Sequence, residues 1–265
     1  MELLRYKIYA EDRALSFQKP VMVLLHGLGG GYANWYRQVH VLKAHYDLVL
    51  IELPSHGHSP VKMSEMELTF DAVSKKVMEV VDHLEIKKAT FVGVSLGTMI
   101  VKNIVLKYSD RVDKYILIGP VGAVPWWTKM AINMIRILMP VAPMNRVIKI
   151  VATFLMPYKT SKYGRDVFMA SAKRVPKEEF IAWCRVLVTF QDVQKVYQKT
   201  MQDEPNGLYM VGELDYFFIP LLNKDRKRVK NMVFIKHAGH ACMADQADIA
   251  NRHIIAFQDN GTTTI

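Results

Sequence analysis

The stretch FVGVSLGTM, residues 91–99, sets Ser95 between Gly93 and Gly97 at the end of an apolar run. A serine on an ordinary strand or helix needs no such neighbours. Between a strand and a helix, G-x-S-x-G describes a tight, strained turn. Only glycine-sized flanks let the two elements approach there, and the turn lifts the hydroxyl clear of the sheet. The same five residues also fit a helix start with Ser95 as a simple cap, so the surroundings must decide.

Outward from Ser95, short apolar runs alternate with amphipathic ones. VMVLL (21–25), YDLVLIEL (46–53), ATFVGV (89–94) and KYILIG (114–119) have the continuous apolar character of strands buried on both faces. Residues 33–45, 69–86 and 96–108 are expected to be helical. Between Thr69 and Ile86, Val73, Val77, Val80, Val81 and Leu84 form an i, i+4, i+7 stripe. After a methionine- and tryptophan-rich segment the alternation resumes with a strand at 207–215, a basic helix near 219–230, a strand at 231–237 and a last helix over 243–258. Such alternation predicts an α/β fold: a mainly parallel central sheet with helices on both faces. Residues 1–120 and 205–265 would form this core, with 121–204 inserted as a helical cap.

In such a sheet, chemistry gathers at the carboxyl ends of strands. A serine hydroxyl there needs a base, an orienting carboxylate and donors for an oxyanion. His240 follows the strand NMVFIKH and a glycine turn; Asp215 closes GELD (212–215). The order Ser95, Asp215, His240 suits a triad on this kind of sheet. Glu213, the nearest rival carboxylate, is turned away by strand alternation. The oxyanion donors would be the amides of Leu96, after the nucleophile, and Leu28, in the loop HGLGGG (26–31).

On HGLGG (26–30), ELPSHGHS (52–59), GVSLG (93–97), GELD (212–215) and AGH (238–240), the chain resembles the α/β-hydrolase fold superfamily over nearly its whole length apart from the cap. It departs from the family's Asp-Leu-Pro-Gly-His-Gly-x-Ser loop with Glu52 for the aspartate and Ser55 for the glycine. The resemblance implies a serine hydrolase of the carboxylesterase or lipase-like kind. Family chemistry also includes carbon–carbon and thioester hydrolysis, lyase and cofactor-free peroxidase reactions. A non-catalytic ligand-binding protein is the reading from another class.

Composition bounds the rest. At 265 residues and 51% hydrophobic, the chain can bury a sizeable core. The start MELLRYKIYAED lacks the apolar region of a secretory signal, and the longest uncharged stretches of the most apolar region, ILMPVAPMN (137–145) and IVATFLMPY (150–158), fall far below the roughly 20 residues of a spanning helix. Two cysteines, Cys184 and Cys242, read as reduced thiols, so the expectation is a soluble cytoplasmic protein. HGLGGG lacks the third glycine of a dinucleotide loop, and no histidine pair has a ligand cluster around it, so neither cofactor nor metal is expected.

Between Asp113 and Asp166 there is no acidic residue but eight basic ones, within a net charge of +10. That bias suits an anionic substrate or, with Trp126 and Trp127, contact with an anionic membrane surface. No groove-reading motif points to nucleic acid. Trp126, Trp127, Met130 and Met134 are expected to line an apolar acyl pocket for a small-molecule ester substrate, since methionine adapts to irregular ligands.

Overall fold

The computed structural model describes residues 2–10, 15, 17–64, 67–122, 126–138, 142–201, 204, 206–223 and 225–261. Seven strands form one sheet: β1 (Tyr6–Tyr9), β2 (Val21–Leu25), β3 (Asp47–Ile51), β4 (Ala89–Val94), β5 (Val112–Ile118), β6 (Gly207–Gly212) and β7 (Asn231–Ile235). Their order is β1-β3-β2-β4-β5-β6-β7. Every pairing is parallel except that of β1, which runs antiparallel along β3.

Period-two alternation divides the strands between two apolar layers. Val23 and Leu25 of β2, Val49 and Ile51 of β3 and Phe91 of β4 face helices α2 (Phe70–His83) and α3 (Leu96–Lys107). Met22 and Leu24, Leu48 and Leu50, and Val92 and Val94 face α1 (Tyr36–Leu42) and α9 (Ala247–Asn260). The valine stripe of α2 is buried as its spacing predicts, and Thr69 caps that helix by accepting the Ala72 N–H at 3.1 Å.

Among the described residues, four helices lie between β5 and β6: α4 (Trp126–Leu138), α5 (Met144–Leu155), α6 (Lys162–Ala172) and α7 (Lys177–Thr200). The 24-residue α7 ties this inserted segment to the sheet layer: Trp183, Val186 and Phe190 join the cluster that holds α2 and α3. Beneath α7 lies a buried polar network. The Lys102 ammonium donates to Gln194 Oε1 at 3.0 Å, and Gln194 donates to the Asp225 carboxylate at 3.2 Å. Asp225 pairs with Arg228, which reaches Glu204 at 3.0 Å. Glu204 also accepts the hydroxyls of Tyr115, Tyr197 and Tyr209 at 2.7–3.0 Å. Burial pushes the Lys102 ammonium below its ordinary pKa, and the Asp225 and Glu204 charges oppose that shift.

Three local readings need correction. The basic stretch 219–230 is not one helix but two short 3-10 turns, Ile219–Leu222 and Asp225–Lys227. Pro220 sits in the first turn, and Asp225 is drawn inward by Gln194 and Arg228. The last helix is broken at Gln246 into α8 (Cys242–Asp245) and α9, because Asp245 turns back toward Gly239 and Ser161. Finally, YKIY (6–9), not expected as a strand, forms the antiparallel edge. No helix among the described residues is long and apolar enough to cross a membrane.

Candidate active site

From β2 the chain moves outward to β3 and then returns to the other side of β2 as β4. That reversal opens a crevice at the carboxyl ends of β2 and β4, where the HGLGG loop and Ser95 meet. Ser95 has φ 52° and ψ −113° and makes no side-chain capping bond to α3. It is therefore a strained turn residue rather than a helix cap. A Cβ at Gly93 would stand 2.4 Å from the Gly97 carbonyl, and one at Gly97 would stand 2.2 Å from the Leu25 carbonyl oxygen. Both glycines are demanded by close backbone approach.

Asp215 and His240 arrive from the loops after β6 and β7. The His240 Nδ1–H donates to Asp215 Oδ2 at 2.8 Å, while Nε2 lies 2.9 Å from Ser95 Oγ. With Nδ1 as the donor, Nε2 is left to accept the serine proton. Both partners are buried, and the Phe218 ring stacks on the imidazole at 4.2 Å between centroids. Glu213 points elsewhere and accepts the backbone N–H of His237.

Two histidines brace the loop after β2. His26 donates through Nδ1 to the Gly27 carbonyl at 2.8 Å and accepts the Leu53 N–H through Nε2 at 3.0 Å. His56 donates to the Pro54 carbonyl at 2.9 Å and accepts the Gly29 N–H at 2.9 Å. Each ring must be neutral to accept from an amide. Burial lowers the pKa of His26 to about 3, helped by neighbouring His56, and that of His56 to about 4.

The Gly30 amide bonds to the Gly27 carbonyl and that of Gly31 to Asn34 Oδ1. The amides of Gly29, Gly30 and Gly31 are thus all engaged within the protein. Leu96 opens α3, where first-turn amides have no partner within the helix. Ser55 stands at φ 63°, the position where the family places glycine, and Glu52 accepts the His58 N–H at 2.7 Å.

A narrow, mostly apolar cavity of about 70 Å³ adjoins Ser95 and His240, walled by Leu28 together with Val151 and Leu155 of α5 and Val167 and Phe168 of α6. The expected wall of α4 residues is corrected here. Trp126, Met130 and Met134 are exposed and do not line this cavity. The inner side of α4 packs instead through Ile132 against the cluster of Val147, Val175, Phe180 and Cys184. The Trp127 side chain lies outside the described residues.

Sequence reasoning also missed Asp245. Its Oδ2 accepts the Gly239 N–H at 2.8 Å and the Ser161 hydroxyl at 2.7 Å, so it joins the His240 loop to the inserted helices. Burial raises its pKa. No spacing rule marks such a residue. Cys242 is a buried thiol whose pKa burial raises, so it is no rival nucleophile.

Comparison with known proteins agrees with this architecture. Residues 20–146 match the family model described as alpha/beta hydrolase fold. A 2-hydroxy-6-oxononadienedioate/2-hydroxy-6-oxononatrienedioate hydrolase of Comamonas testosteroni is 35% identical over 125 residues, 45% of this chain and 42% of that protein. A pimeloyl-[acyl-carrier protein] methyl ester esterase of Vibrio vulnificus is 32% identical over 102 residues, 38% of this chain and 37% of that protein. The chain thus spans less than two thirds of the length of these curated relatives.

A solved carboxylesterase structure from the thaumarchaeon Nitrososphaera gargenis superposes with a TM-score of 0.80 at 16% identity, covering 97% of this chain and 94% of the other. At that identity the likeness speaks for the fold alone. Sheet order, the G-x-S-x-G turn and the family match over residues 20–146 agree: the chain has the α/β-hydrolase fold.

Proposed function

We propose that the protein is a serine hydrolase that cleaves a carboxylic ester through an acyl-enzyme on Ser95. The observation that carries this reading is the unbroken chain Asp215–His240–Ser95, at 2.8 and 2.9 Å, ending on a strained turn beside an apolar cavity. Ser95 Oγ attacks the ester carbonyl as His240 Nε2 takes its proton. Asp215 holds the imidazole in the Nδ1–H tautomer and stabilises the imidazolium without taking the proton. The amides of Leu28 and Leu96 receive the oxyanion. His240 then protonates the leaving alcohol, and a water activated by the same nitrogen releases the acid.

The inserted helices α4–α7 act as the cap in this reading, and α5 and α6 hold the apolar acyl group. Ligand pockets usually run to about 300–1,000 Å³, so α5 or α6 must shift to admit an acyl chain. The esterase of Vibrio vulnificus supports ester chemistry. A second reading, carbon–carbon bond hydrolysis by the same triad, is favoured by the Comamonas testosteroni relative, whose named substrate carries a ketone and no ester.

Hydrolysis of nitrophenyl esters of graded acyl length by wild type and Ser95→Ala tests the proposal. The variant is expected to lose about a millionfold in kcat, the loss seen for the nucleophile of another triad enzyme. Equal, slow turnover by both proteins would overturn the ester reading. Turnover of a 6-oxo-dienoate in preference to every ester would select the second reading.

A further inference from the structure

We propose that the outer face of α4 and α5 is a docking surface for an anionic lipid bilayer. This inference stands apart from the reaction assigned to Ser95. On α4, Trp126, Met130, Met134 and Ile137 fall at i, i+4, i+8 and i+11, one stripe of a helix surface. On α5, Ile150 and Phe154 stand one turn apart. All six side chains are between 56% and 74% exposed. Water-facing apolar residues scattered singly need no explanation, but a stripe of four on one helix with two more on the next does. Both helices stand on one small core, the cluster of Val147, Val175, Phe180 and Cys184 against which Ile132 of α4 packs.

Charge selects the partner. Arg146 and Lys149 are exposed on α5, and the 52 residues between Asp113 and Asp166 carry no carboxylate. A second protein chain with an apolar patch would not require that absence. A bilayer does, because its anionic headgroups repel carboxylates and attract each nearby lysine or arginine while apolar side chains enter the acyl boundary. The geometry also gives the attachment a direction. Val151 and Leu155, each one position on from Ile150 and Phe154 along α5, line the cavity beside Ser95, so the helix that meets the lipid is the one that walls the site.

The test is flotation of the full chain with vesicles of pure phosphatidylcholine or of phosphatidylcholine with a third phosphatidylglycerol, at low and high salt. Wild type is expected to float with the anionic vesicles at low salt and to be released at high salt. Ile137→Glu with Ile150→Glu should abolish flotation. Arg146→Glu with Lys149→Glu should weaken it by at least about 25-fold, from about fivefold for each cation lost. Circular dichroism and unfolding curves would establish that these surface variants keep the wild-type fold. Wild type that stays in solution at low salt, or floats equally with neutral vesicles, overturns the proposal. So does concentration-dependent self-association removed by Ile137→Glu, which would make a second copy the occupant.

Discussion

Ser95 takes a backbone conformation that costs roughly 1–3 kcal/mol wherever it occurs, and its glycine neighbours allow the surrounding structure to hold it there. Gly97 is the sharper constraint, since any side chain would drive into the Leu25 carbonyl at the end of β2. Gly97→Ala is therefore expected to destabilise the fold by about 1–3 kcal/mol, the scale of overpacking in a close-packed interior. Urea unfolding would measure it; an unchanged midpoint would mean that β2 and α3 can separate without penalty. Ser55 is a milder case. It occupies a left-handed conformation, φ 63°, without glycine's freedom. Ser55→Gly should gain up to about 1 kcal/mol, the relief of strain less the entropy a glycine loses on folding, seen as a small rise in Tm. At this scale the elbow was legible in the sequence because its logic is local: strand, two glycines, one serine. The stacking of Phe218 on His240 was not, because the two residues meet only through the loops after β6 and β7.

At the scale of elements, the loops after β2 and β3 are locked to each other by His26 and His56, each neutral and each accepting an amide from the other loop. Their pKa values lie below the unfolded value near 6.5, at about 3 and about 4. Above pH 6.5 neither state binds a proton at these rings, and their contribution is complete. As pH falls from 6.5, the unfolded chain protonates first, so stability drops by up to about 1.4 kcal/mol per pH unit for each ring. The loss from His56 levels off below about pH 4 and that from His26 below about pH 3. His56→Asn should lower stability overall yet flatten the slope of unfolding free energy between pH 6.5 and 4 by about one proton. An unchanged slope would show that His56 is protonated in the folded protein. The expected helix at 219–230 fails at this same scale. Its basic composition was a weak guide beside an aspartate that the interior draws inward.

Across the whole molecule, the inserted helices are joined to the sheet by charge as well as by apolar packing. Lys102 of α3, Gln194 and Tyr197 of α7, Glu204 before β6, and Asp225 and Arg228 before β7 form one buried network of balanced charge. Lys102→Met would leave one uncompensated carboxylate in it. Removing one member of a buried ion pair typically costs about 3–5 kcal/mol, and a loss of that order is expected in thermal or urea unfolding. If Glu204→Gln in the same background restored stability, the coupling would be demonstrated; strict additivity of the two changes would count against it.

The chain's own order of residues was enough for the α/β class, the glycine-flanked turn at Ser95, and the loops that bring Asp215 and His240 to one sheet edge. These follow from periods of two and 3.6 residues and from turns only a few residues long. Only the tertiary structure decided which surfaces those elements turn inward. Ser95 and His240 are 145 positions apart and Lys102 and Gln194 are 92 apart, and no local periodicity relates residues at such distances. The stripe of α4 shows the same division. Its amphipathic spacing was visible, but whether it faced a pocket or the solvent depended on Ile132, across the helix, joining the cluster around Phe180. Apolar spacing selects a face, and the neighbour that packs on the opposite side decides where that face looks.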